Sequence, residues 1–271
     1  MRRNTLYPLK QGHRNSGSIA RNSEMINAGL KLDRYFYDEH FVYHPCNAEN
    51  IADTLAANYV KKVNQYGIKN VLLCTAMRER GCVSVNKLNN MLQEVFTKGK
   101  PEAKFGEKIY RVGDRVMQTR NNYDFLIMRN GQMQYGIFNG ERGTISKVIE
   151  DPEEESFKIV VVYDDGSIGG YTKNTIADLT LAYATTLHKC QGSEADCMMM
   201  AYTHGDYLLL NRSLFYTGET RAKKEFNFYG EEKYKYGKML SAFDIAVGRV
   251  DDSKRNTMLA ERIKEEMDKN E

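Results

Sequence analysis

The densest chemistry in the sequence lies between Ala182 and Lys224. The run AYATTLHKCQGSEAD, Ala182 to Asp196, sets hydroxyl, imidazole, ammonium and amide groups on one short segment, closes it with Gly192 and follows with Ser193 and Glu194. A core segment has no use for so many polar groups. The run RSLFYTGETRAKKEFNFYG, Arg212 to Gly230, places Thr220, Arg221, Lys223 and Lys224 after an apolar and aromatic stretch, so a guanidinium stands at the end of a packed element. A planar, permanently charged fork so placed suits a phosphate. Each residue alone also has a structural use: Arg221 as a salt-bridge partner at a helix end, His188 as a satisfied helix histidine. Tyr183, Phe215 and Tyr216 read as packing that anchors the polar runs.

The elements that must position these groups alternate between helix and strand. Ile19, Met25, Ile26 and Leu30 suit a short helix stopping near Gly29, and an aromatic strand is expected over Tyr35 to Tyr43. Ile51, Leu55, Tyr59 and Val63 form an i, i+4 stripe, which predicts an amphipathic helix ended by Gly67. VLLCT, Val71 to Thr75, is continuous and apolar, as a parallel strand covered on both faces should be. A helix follows over Val83 to Phe96. Beyond Lys108 the texture becomes short apolar runs cut by Gly113, Asn139-Gly140, Gly143 and Asp165-Gly166, which are hairpin signals. They place a small β-rich insertion at 137–178. After it come a strand at Met198 to Tyr202, a helix at Leu208 to Thr220, a strand at Glu225 to Tyr229 and a C-terminal amphipathic helix over Asp251 to Lys269.

Composition bounds the class. The chain has 271 residues, 41% hydrophobic and 28% charged, with no run near the roughly 20 apolar residues of a membrane span. The net charge of +3 is too small to announce nucleic acid by itself. The five cysteines are scattered, with neither a CxxC pair nor zinc-ligand spacing, so reduced thiols in a cytoplasmic protein are expected and no metal site. A glycine-rich loop ending in Gly-Lys-Ser/Thr, which would wrap the phosphates of ATP, does not occur: Gly99-Lys100 runs into Pro101 and Gly237-Lys238 into Met239. Tyr35 to Glu39 imitates a strand ending in a magnesium-binding acidic pair, and without a phosphate loop before it reads as a plain strand end.

With these residues in place the chain resembles a family. Leu9-Lys10-Gln11, then VLLCTAMRERGCVSVNKLNNMLQ at 71–93, GDRVMQTRNNYD at 113–124, FNGERGTI at 138–145 and the two runs above resemble, in order, the C-terminal half of RecD-type superfamily-one DNA helicases. The resemblance implies a RecA-like three-layer α/β domain of the P-loop NTPase type without its own phosphate loop, discontinuous over 1–136 and 179–271, with a small β-barrel inserted at 137–178. It implies ATP and Mg²⁺, held mainly by an N-terminal RecA-like domain or partner subunit that carries the phosphate loop, single-stranded DNA as a partner, and no membrane. Residue by residue, it makes Arg221 the arginine that reaches the γ-phosphate, with Lys10 where the family carries another arginine. Gln191, Gly192 and Glu194 fall next to nucleotide, Thr186 and His188 on the DNA backbone, and Asn121, Asn122 and Tyr123 in a family signature assigned to nucleic acid. Gly218 and Glu219 depart from the family pattern: Glu219 could pair with Arg221, or could mark a degenerate copy. A non-catalytic nucleic-acid-binding module descended from such a domain is therefore the alternative.

Overall fold

The computed structural model describes residues 17–151, 156–209, 211–235 and 238–249. Lys10 and the helix expected over 251–269 lie outside them. The described residues begin with helix α1 (Gly17–Ala28), strand β1 (Phe41–Cys46), helix α2 (Ile51–Tyr66), strand β2 (Val71–Thr75) and helix α3 (Val85–Thr97). Gly67 ends α2 with φ at 81°, a left-handed value that a side chain rarely adopts, and its N–H closes on the Val63 carbonyl. Ser84 caps α3 by accepting from the Lys87 N–H. The strand expected from Tyr35 starts only at Phe41. Asp38 accounts for this, because its carboxylate accepts from the N–H groups of His40 and Phe41 and from the Ser18 hydroxyl, a turn that must close before pairing begins. The acidic pair at Asp38-Glu39 therefore sits in a turn ahead of β1, not at a strand end.

An antiparallel unit follows. Its strands are β3 (Glu102–Phe105), β4 (Lys108–Arg111), β5 (Arg115–Gln118), β6 (Asn122–Arg129), β7 (Gln132–Ile137), β8 (Arg142–Asp151), β9 (Ser156–Tyr163), β10 (Ile168–Tyr171) and β11 (Leu179–Leu181). β3 and β4 pair as a hairpin, and the other seven form one sheet in the order β11-β5-β8-β9-β10-β6-β7. Only β8, β9 and β10 fall wholly within 137–178. The sheet begins earlier, because β5 and β6 share the core of Val116, Phe125, Ile127, Ile145, Ile159 and Val161. Gly143 is no turn residue. It lies in β8, where a Cβ would stand 2.7 Å from the Val162 carbonyl oxygen, so the glycine permits close approach of β8 to β9.

The chain then returns through β12 (Ala184–Thr186), helix α4 (Leu187–Cys190), β13 (Ala195–Tyr202), helix α5 (Arg212–Glu219), β14 (Ala222–Lys235), β15 (Lys238–Ser241) and helix α6 (Ala242–Gly248). The main sheet runs β1-β14-β13-β2-β12, every neighbour parallel, with β15 added antiparallel to β14. Period-two alternation sorts its side chains into two cores. Leu72, Met198, Met200, Phe226 and Phe228 face α1, α5 and α6, while Val71, Leu73, Met199 and Tyr229 face α2 and α3. Helices on both faces of a parallel sheet make the three-layer α/β arrangement that VLLCT foreshadows.

One carboxylate ties the two units together. Asp114, fully buried between β4 and β5, accepts from Thr97 Oγ1 (2.7 Å) and Gln93 Nε2 (2.6 Å) on α3, from the Arg111 N–H (2.6 Å), and from the Tyr183 hydroxyl (3.1 Å) on the returning segment. Burial pushes the Asp114 carboxyl above the usual range, and the four donors pull it back. The cysteines differ from the expectation of five free thiols. Cys74, on β2, and Cys190, on α4, form a disulfide with Cα atoms 7.3 Å apart, leaving Cys46, Cys82 and Cys197 free. Their separation of 116 residues gave the pairing no local signal.

Candidate nucleotide and nucleic-acid interface

The two polar runs begin from opposite ends of the main sheet. β12 lies in register with β2, Thr186 opposite Thr75, so Thr186 stands where β12 leaves the sheet. It occupies the cap position of α4, and its hydroxyl makes no cap bond. His188 and Lys189 follow, exposed, on that single turn of helix. Gly192, with φ at 86° and open space around it, turns the chain back, and the Ser193 N–H closes on the Cys190 carbonyl at 3.0 Å. Gln191 and Glu194 are exposed at the entering end of β13.

Arg221 arrives at this entering end. The N–H of Ala195 donates to the Arg221 carbonyl at 3.1 Å, which places the start of β14 beside the start of β13. The half-buried Arg221 guanidinium donates to the Thr217 carbonyl (3.2 Å) and reaches Thr220 Oγ1 (3.4 Å). Among the described residues no carboxylate pairs with it. Glu219 points the other way. It is fully buried, and both carboxyl oxygens lie against Ser23 Oγ on α1, at 2.8 and 2.7 Å. The anticipated Glu219–Arg221 pairing is thus absent, because α5 rotates Glu219 into its packed face while Arg221 follows the helix end. Burial raises the Glu219 carboxyl to about 8. Glu194 instead forms an exposed ion pair with Lys223 at 3.4 Å.

Asn121, Asn122 and Tyr123 stand at the start of β6 in the antiparallel unit, apart from the entering-end group. Asn121 accepts from the Asn139 N–H and Asn122 from the Asp124 N–H, so both brace turns. Tyr123 is 67% exposed and meets Phe138 edge-on. The described residues gather no group of three His, Cys, Asp or Glu side chains fit for a metal ion. They do offer a guanidinium with free donors at an exposed edge, which fits a phosphate and not a metal. No helix among them is long and apolar enough to cross a membrane. Two residues escaped the sequence reading. Arg78, just past β2, carried the signal of a cation at the carboxyl end of a buried parallel strand. Asp114 carried none beyond the Gly-Asp pair.

A family model described as the SH3 domain of ATP-dependent RecD-like DNA helicases matches residues 88–163, across the antiparallel unit. A second, described as the C-terminal domain of UvrD-like helicases, matches residues 181–229, which contain both polar runs. The chain is a relative of the RecD-like superfamily-one helicases. It is 33% identical over 194 residues to the ATP-dependent RecD2 DNA helicase of Deinococcus radiodurans, a match covering 72% of this chain and 23% of that protein. It is 29% identical over 161 residues to the RecBCD enzyme subunit RecD of Mycolicibacterium smegmatis, covering 59% of this chain and 25% of that one. The RecD-like chain thus spans about a quarter of the length of these curated relatives. A solved structure of Pif1 helicases at forked double-stranded DNA aligns over 80% of this chain and 48% of its own, at 16% identity and a TM-score of 0.44.

Proposed function

We propose that this RecD-like chain supplies the C-terminal motor domain of an ATP-dependent DNA helicase, contributing an arginine finger and single-stranded DNA contacts to strand translocation and unwinding. The observation that carries the reading is the state of Arg221: a half-buried guanidinium that no carboxylate among the described residues pairs with, on a residue whose carbonyl accepts from Ala195 and so stands at the entering end of β13, where Gln191, Gly192 and Glu194 lead in. ATP, held with Mg²⁺ by a domain or subunit bearing a phosphate loop, supplies the transferable phosphoryl group. Arg221 would approach its γ-phosphate from this edge and stabilise the charge that spreads over the oxygens during transfer, an effect worth about 10³ to 10⁵ in rate. The nearby Thr217 carbonyl and Thr220 hydroxyl hold the guanidinium at the helix end and leave donors for the phosphate. Thr186 and His188, with Asn121, Asn122 and Tyr123 further along, would contact single-stranded DNA.

The test uses the complete helicase or complex. Arg221→Ala should lower ATP turnover by about 10³ or more while single-strand affinity stays within about threefold. Turnover unchanged in that variant removes the finger assignment. The chain by itself should not hydrolyse ATP with Mg²⁺, and turnover by the purified chain would sink the division of labour proposed here.

A further inference from the structure

The bridge between Cys74 and Cys190 joins two elements of unequal firmness. Cys74 is fully buried in β2, between β13 and β12, with Met200 and Thr185 as its register neighbours on either side. Cys190 ends α4, a helix of only four residues with no side-chain cap at its amino end, too short to be held by its own hydrogen bonds. His188 and Lys189 on the outer side of that turn are exposed, and so are Gln191 and Gly192 beyond it. What fixes the turn lies on its inner side, in the packed Leu187 and the Cys190 sulfur. That sulfur is a meeting point. Besides Cys74, it lies 3.3 Å from the Thr185 hydroxyl of β12, and the Arg142 guanidinium reaches it at 3.7 Å from β8 of the antiparallel unit. The buried Nε of Arg142 has no hydrogen-bond partner among the described residues, and a cation beside the sulfur favours the negative charge that builds on it when an S–S bond breaks. The other three cysteines are unpaired, which is not the pattern of a domain stapled by disulfides. A bridge amid free thiols is characteristically one that forms and breaks.

We infer that the Cys74–Cys190 bridge is a redox latch: closed, it pins α4 to β2 and holds Thr186 and His188 in one arrangement; open, it releases the turn that carries them. The step needs a dithiol reductant. One thiolate of the dithiol attacks a sulfur of the bridge and forms a mixed disulfide, the other protein sulfur leaves as a thiolate, and the second sulfur of the dithiol then displaces the protein and closes its own disulfide. Two electrons pass to the protein, and the two protons of the dithiol end on Cys74 and Cys190. Two unbonded thiols need more room than one bridge, and β2, hydrogen-bonded on both sides, does not yield it. The four-residue turn moves instead. The effect on strand binding rests on the nucleic-acid reading proposed for Thr186 and His188, whereas the release of the turn does not.

Hydrogen exchange of the folded chain, before and after dithiothreitol has raised the thiol count from three to five, reads the latch without any ligand. Exchange across 186–193 should quicken on the order of tenfold on reduction, while α2 and α3 stay as they were. With the ordered turn then populated about one time in ten, oligothymidylate binding should weaken about tenfold in the same step. Cys190→Ser, whose hydroxyl keeps partners in Thr185 and Arg142, should behave as the reduced chain with or without dithiothreitol, and Cys74→Ala gives the same comparison if that variant does not fold. Cys46→Ser, at a free cysteine outside the bridge, should respond as wild type does. A bridge that dithiothreitol does not open in the folded chain, or exchange that reduction leaves unchanged in this segment, overturns the latch whatever the strand affinity. Faster exchange with unchanged strand affinity overturns its control of Thr186 and His188. A chain that binds no oligothymidylate in either form removes the nucleic-acid reading instead, and the exchange alone then decides for or against the latch.

Discussion

Replacing Glu219 by glutamine should stabilise the chain above neutral pH and do nothing in acid. Ser23 has a single hydroxyl proton, yet its oxygen lies within 3.0 Å of the Ile19 carbonyl and within 2.8 Å of both Glu219 oxygens. Ser23 has one proton for three acceptor oxygens while Glu219 is ionised; protonation of Glu219 adds a second donor, so that its O–H can donate to Ser23 while Ser23 donates to Ile19. An ionised Glu219 would be a fully buried charge with one hydroxyl to solvate it, which is why burial lifts its pKa from 4.5 to about 8 against the pull of the Ser23 bond. Below pH 4.5 the carboxyl is protonated in folded and unfolded chain alike, and no penalty exists. As pH rises toward 8 the unfolded chain gives up the proton while the folded chain keeps it, so stability falls by about 1.36 kcal/mol per pH unit. Over a rise of about 3.5 pH units (8 less 4.5) the loss reaches about 5 kcal/mol and is complete above pH 8. Glutamine retains a donor for Ser23 and cannot ionise. Urea unfolding of wild type and Glu219→Gln at pH 4, 7 and 9 should give differences near zero, then about 3, then about 5 kcal/mol in favour of the variant. A difference that stays flat from pH 5 to 9 refutes the protonated, Ser23-bonded carboxyl.

Asp114→Ala strands four donors in the core and should cost about 3 to 5 kcal/mol by denaturant unfolding, with Asp114→Asn costing less because one acceptor oxygen survives. Gly143→Ala drives a methyl against the Val162 carbonyl and should destabilise by about 1 to 3 kcal/mol, read from the same melts. Thiol titration of unreduced, denatured chain should count the three free cysteines, Cys46, Cys82 and Cys197, and a count of five would contradict the Cys74–Cys190 bridge.

Local pattern made much of the fold legible. VLLCT announced β2 to the residue, and the stripe of Ile51, Leu55 and Tyr59 announced α2, because a strand buried on both faces and a helix buried on one leave different periods in the sequence. The edges of the antiparallel unit were harder. β5 is four buried residues with no alternation, and only its pairing to β8 and β11 assigns it to that sheet. The site divides in the same way. Thr186, Gly192 and Arg221 were visible as residue types out of place in a core. The partner of Glu219 lies 196 residues away, and Arg78 faces Lys189 across more than a hundred residues, so neither relation has a trace in either segment alone.

The Asp114 junction has a mechanical meaning. The antiparallel unit is threaded into the main domain by two strands of chain, one leaving α3 and one returning before β12, and two such crossings would ordinarily serve as a hinge. Gln93 and Thr97 on the outgoing side and Tyr183 on the returning side are clamped to one carboxylate, so the hinge is bolted shut. A load applied to the antiparallel unit therefore reaches α3, and the segment entering β12 two residues before Thr186, as torque on a stiff bracket rather than as slack in two linkers. Loosening that bolt should soften the transmission between the units before it melts either of them.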